Sequence, residues 1–90
     1  MARKPVGEAE RRHGERIGRI LAERRQAARL SAGDIARVSE VSQDAVRSLE
    51  NGRVPTPAFL TVARLAGVLG LSLDELHAQA SQSAGEAEPR

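Results

Sequence analysis

The side chains with the most legible chemistry lie in one stretch, SQDAVRSLENGR at residues 42–53. Gln43 carries an amide that donates and accepts, matching the adenine edge in a DNA major groove, and Arg47 carries the planar fork that matches guanine. Asp44 has two open roles: accepting from the cytosine amino group, or placing a negative charge in the first turn of a helix. Ser42, Ser48, Asn51 and Arg53, with Ser31 upstream, suit the phosphate and sugar oxygens that fix the register of a protein on duplex DNA. Arg53 is the best placed of these, directly after Gly52.

Positioning these groups requires a helix, and the spacing supplies one. Ala45, Val46 and Leu49 fall inward at i, i+1 and i+4, while Gln43, Asp44, Arg47, Ser48 and Asn51 fall outward. Ser42 is its N-cap and Gly52 its stop, since glycine takes the left-handed conformation after a helix terminus without steric cost. A helix also precedes it. Ser31 with Asp34 is an acidic variant of the capping box, and Ile35, Ala36 and either Val38 or Ser39 share one side before the run stops near Glu40. Val41 plugs the corner between the two. Two short helices joined by such a turn form a helix-turn-helix, which presents its second helix to the major groove.

The rest of the chain reads as supporting helices. From about Gly14 to Arg29, Ile17, Ile20, Leu21, Ala27 and Ala28 line one side of a helix whose other positions are rich in arginine. Those arginines are expected to form a solvated face with i, i+4 pairs such as Glu15 with Arg19. After RVPTP, a fourth helix begins at Thr56–Pro57 or at Ala58 and buries Phe59, Val62, Ala63, Ala66 and Leu69, ending at Gly70. Ser72 with Glu75 is a capping box that opens a short fifth helix contributing Leu73 and Leu76. Residues 1–13 are expected to form a flexible basic arm, although Glu8 to Arg12 can extend the first helix, and residues 80–90 a disordered tail. The domain proper spans residues 14–79.

Composition agrees with one small helical domain. Ninety residues hold one core, and with Phe59 as the only aromatic residue that core must be aliphatic. The absence of cysteine removes disulfides and zinc fingers, and no apolar run approaches the ~18 residues that span a bilayer. The basic N-terminus lacks a following apolar region, so a cytoplasmic protein associated with the nucleoid is expected. Fourteen Lys and Arg against twelve Asp and Glu give a net charge of only +2, so the distribution of charge matters more than its total. Enzymatic signatures are missing: His13 and His77 are expected at opposite ends of the domain, with no metal-ligand spacing and no nucleophile turn. No catalytic residue, cofactor, metal or small-molecule substrate is expected.

Beyond the individual motifs, Leu30-Ser31, Ile35-Ala36, Val41-Ser42, Val46, Leu49-Glu50-Asn51-Gly52, Leu65-Ala66, Leu69-Gly70 and Ser72 to Leu76 together resemble the lambda-repressor-like (Cro or XRE-type) helix-turn-helix family, over residues 14–78. The resemblance implies an all-α, compact five-helix fold and a transcriptional regulator that reads duplex DNA, usually as a homodimer on inverted half-sites ~34 Å apart. It also implies a half-buried link between Glu50 and an arginine of the first helix, without saying which. The dimer surface is expected around Leu71 to Ala78. Three positions depart from the family pattern: Ala32 where glutamine braces a phosphate, Glu40 where glycine makes the turn, and Arg29 where glycine precedes the second helix. Ala32, Glu40 and the low net charge leave open an alternative, the same fold used as a protein-interaction module, antitoxin-like or binding a sigma factor, with weak or assisted DNA binding.

Overall fold

Capping and periodicity divide the chain into five helices, α1 Glu8–Ala27, α2 Ala32–Ser39, α3 Gln43–Glu50, α4 Phe59–Leu69 and α5 Leu73–Ala87, with no strand among the described residues. The structure is a computed structural model that describes the backbone of residues 7–87 and the side chains of residues 7–82. The expected all-α, five-helix architecture is what the chain forms.

The caps follow the sequence closely. Ser31 Oγ accepts from the Asp34 amide at 3.0 Å, and the Asp34 carboxylate accepts from the Ser31 amide at 3.1 Å. Ser42 Oγ accepts from the Ala45 amide at 3.0 Å, and Ser72 Oγ from the Glu75 amide at 2.9 Å. Each satisfies a donor that the first helical turn leaves without a partner. At the opposite ends, Leu30, Val41, Arg53 and Leu71 donate their amides back to the carbonyls of Arg25, Ala36, Ser48 and Ala66, the six-to-one bond of the Schellman motif. That bond needs a left-handed residue just before it. Gly52 and Gly70 supply it freely, but Arg29 (φ 62°) and Glu40 (φ 61°) adopt it at a cost of about 1–2 kcal/mol each.

The core is aliphatic, as a chain with one aromatic residue requires. Leu21, Ile35, Val46, Leu49, Leu65, Ala66, Leu71 and Leu76 are buried at its centre, with Ile17, Ile20, Val41, Val68 and Leu69 packed around them. Ser39, not Val38, completes the inner side of α2; Val38 is exposed. Four expected core residues are exposed instead. Phe59 is 72% exposed and Leu73 37% exposed: each is the first residue of its helix, at the rim, and it is Val62 and Leu76, three residues on, that turn into the core. Leu65, which the expected stripe omits, takes the interior position on α4. Ala27 and Ala28, also expected inside, are exposed at the end of α1.

Both ends of the domain are more helical than expected. The helix α1 starts at Glu8, so the extension over Glu8 to Arg12 allowed above is the form taken: Glu10 accepts from the Gly7 amide at 3.1 Å, and Glu8 pairs with Arg12 at i, i+4. The helix α5 continues through residue 80 to Ala87. Ala80 is fully buried, and Arg16 Nε of α1 donates to the Ala80 carbonyl at 2.7 Å, so this part of α5 is held by tertiary contact that periodicity does not reveal. Residues 1–6 of the expected arm and 88–90 of the expected tail lie outside the described residues. The same seam between α1 and α5 corrects the placement of the histidines. His13 and His77 are neighbours, with ring centroids 5.1 Å apart. Burial first, then His77 and Arg16, hold the His13 pKa below its ordinary value of 6.5.

Glycine is disfavoured inside a helix, yet α1 carries Gly14 and Gly18, both buried. A Cβ on Gly18 would be driven into the Leu49 carbonyl oxygen, and one on Gly14 into the Pro55 carbonyl oxygen. The missing side chains therefore let α1 lie directly on the end of α3 and on the loop that follows it. At Gly67 of α4, by contrast, an added Cβ would meet nothing within 4 Å. Gly18→Ala should destabilise the fold by about 1–3 kcal/mol through overpacking, whereas Gly67→Ala should stabilise it by about 0.5–1 kcal/mol. Urea unfolding of the two variants beside the parent chain checks both signs.

Candidate nucleic-acid interface

The helix α3 is short and strongly two-sided. Val46 (0% exposed) and Leu49 (2%) anchor it in the core, and Gln43, Asp44 and Arg47 stand exposed on its outer side. Ala45 and Ser48 lie at the boundary, half-buried, so Ser48 offers less surface than its outward assignment implies. Arg47 and Arg53 are exposed and form no ion pair with another described residue, which leaves both guanidinium groups available to an external acceptor. Asn51 is exposed at the C-cap of α3.

The structure brings Ser31 and Gln43 together from two helices. A Cβ at Gly33 would lie 3.5 Å from Gln43 Oε1 and 3.7 Å from Ser31 Oγ. The amide of Gln43 thus leans over the first turn of α2, beside its N-cap. Ser31 and Ser42 each accept one amide hydrogen in their capping role, and each hydroxyl retains its own hydrogen to donate. The two N-termini also carry the positive ends of their helix dipoles, which favours an anion such as a phosphate in front of them.

Glu50 shows how this face is held. Arg25 of α1 grips it with two parallel hydrogen bonds, Nε to Oε2 at 2.8 Å and Nη2 to Oε1 at 3.0 Å, and donates Nη1 to the Leu30 carbonyl at 2.7 Å. Arg25 is therefore the arginine of the link implied by the resemblance. Both side chains are largely buried, 14% and 12% exposed. The hydrogen bonds to Glu50 raise the Arg25 pKa above its ordinary value against the opposing effect of burial, so the guanidinium stays charged. Gly52 follows two residues on with φ 74°, against the Glu15 side chain, and closes α3.

Three contacts of this region are not evident from the sequence. Arg64 of α4 donates to the Glu40 carbonyl at 3.4 Å, touching the left-handed corner from behind. Gln43 lies within ordinary contact distance of Gly33, and Gly18 admits the end of α3. A signal existed for Gly18: two glycines four apart inside an amphipathic helix cost about 1 kcal/mol each relative to alanine unless something packs closely against them. Nothing comparable marks Arg64. Near the interface Asp34 pairs with Arg37 at 3.7 Å, whereas no described residue forms an ion pair with Glu40 or Asp44.

The family model described as a helix-turn-helix domain matches residues 16–79, from the third turn of α1 into α5. That match covers both helices of the motif and the elements that support them. No curated protein matches the chain.

The capping carboxylate of Asp34 gives the interface a pH signature. Hydrogen bonds from Ser31, first from its backbone and then involving its side chain, with a smaller effect of Arg37, hold the Asp34 pKa below its ordinary value of 3.8. The unfolded chain therefore binds this proton more readily than the folded one. The stabilisation is present above pH 3.8 and is lost as pH falls through the lower folded value. Urea midpoints measured across this acid range should fall less steeply for Asp34→Asn than for the parent chain, and the two should differ most near neutral pH.

Proposed function

We propose that this chain, which belongs to the helix-turn-helix domain family, binds duplex DNA sequence-selectively and regulates transcription. The observation that carries this reading is the outer side of α3, where Gln43, Asp44 and Arg47 are exposed together on a helix whose inner side is locked into the core. Inserted in the major groove, Arg47 would pair with guanine and Gln43 with adenine, and Asp44 would accept from a cytosine amino group or serve only the first helical turn. Ser31, Ser42, Ser48, Asn51 and Arg53 would fix the register through phosphates and sugars.

A homodimer on an inverted repeat is part of the proposal. The Leu71 to Ala78 surface offers less apolar area than expected, since Leu71 and Leu76 are buried. Leu73 remains, and it lines one shallow groove with Phe59, beside the exposed Leu60. That apolar rim also favours a second reading, in which the domain docks on another protein and DNA binding is secondary. No helix among the described residues is long and apolar enough to cross a membrane.

Selection of bound duplexes from a random pool, at near-physiological salt, separates the two readings. Salt weakens phosphate contacts steeply and leaves groove reading as the discriminating term. The parent chain should enrich one inverted repeat, and Arg47→Ala should lose about 1–3 kcal/mol of preference at one base position in each half-site. Absence of enrichment by the parent chain would refute autonomous sequence-selective binding and favour the partner-binding reading.

A further inference from the structure

We propose that His13 and His77 form a two-imidazole clip for a divalent transition-metal ion, with Zn2+ as the type case, that fastens α5 to α1. The two rings come from helices far apart in sequence and stand 5.1 Å apart, tilted by 58°. With Zn–N distances of ~2.1 Å, each ring centroid lies ~3.2 Å from a shared metal, and a tetrahedral angle places the two centroids ~5.2 Å apart. The observed separation of the ring centres equals the one a shared metal requires.

The nitrogens are accessible. His77 is exposed and His13 half-buried, and no ring nitrogen of His13 is both shut off from solvent and without a hydrogen-bond partner. The surroundings divide by charge. Arg16 donates its Nε to the Ala80 carbonyl and keeps its charge, which opposes a cation at His13, whereas Glu10 lines the same cavity as His13 and brings a carboxylate one helical turn away. On the other side Ile17, Phe59 and Leu73 give His77 an apolar wall with no competing charge.

No third His, Cys, Asp or Glu joins the pair into a cluster among the described residues. Water therefore completes the coordination, and the site is open and exchangeable rather than a closed structural centre. Imidazole ligands select zinc, nickel or copper and discriminate against magnesium. The clip lies on the seam of α1 and α5, apart from the exposed side of α3, so it does not depend on what α3 reads.

A metal held only by the folded chain raises its apparent stability by mass action. Thermal unfolding of the untagged full chain, with excess ZnCl2, with NiCl2, with MgCl2 and with EDTA, tests the site. Zinc and nickel should raise Tm by about 4 °C or more over EDTA, magnesium should not, and the rise should vanish in both His13→Gln and His77→Gln. His77→Gln alters an exposed side chain and so provides a folded comparison even if the half-buried His13 site tolerates change poorly. No rise in the parent chain, an equal rise with magnesium, or an undiminished rise in His77→Gln would each overturn the proposal.

Discussion

The forked pair of Arg25 with Glu50 is the constraint on which the interface depends. Glu50 is the last residue of α3, where a negative charge opposes the helix dipole. Placed there without a partner it would destabilise the helix that carries the candidate base readers. Arg25 supplies the missing charge from α1 and binds the Leu30 carbonyl with its remaining arm, so one guanidinium ties α1, the corner before α2 and the end of α3. Both groups are largely removed from water, and removing either one leaves an uncompensated charge costing about 3–5 kcal/mol. The pair therefore selects one placement of α3 over alternatives that would leave either charge stranded.

The small residues make that placement possible. Gly18 allows α1 to reach the Leu49 carbonyl, one residue before Glu50, and Gly14 allows it to reach the loop at Pro55. Close approach and charge pairing thus act on the same end of α3, while Ser42 fixes its other end. The left-handed corners at Arg29 and Glu40 work against this arrangement slightly, and they persist because each amide bond that follows closes a Schellman motif.

Local features are legible in the sequence, and contacts between distant segments are less so. Ser31 with Asp34, Ser42, Gly52, and Ser72 with Glu75 act within a few residues of themselves, so their chemistry can be read from the string. The exposed side of α3 follows from a period of 3.6 residues anchored by Val46 and Leu49. Periodicity identifies a face but does not say where the neighbouring element ends. For that reason it places Phe59 and Leu73 in the core although they sit at its rim, and it passes over Leu65. The closeness of His13 to His77, and of Arg16 to Ala80, arises from the packing of α5 against α1, which no local pattern encodes. Which arginine meets Glu50 is likewise a question of tertiary geometry.

A double-mutant cycle on the pair, with Arg25→Met, Glu50→Met and the double variant in urea unfolding, tests this dependence most directly. If the fork holds α3 in place, the double variant should be less destabilised than the sum of the singles, with a coupling energy of about 2 kcal/mol or more. Additivity within about 0.5 kcal/mol would mean that the two side chains act independently, and would contradict the role assigned to the pair.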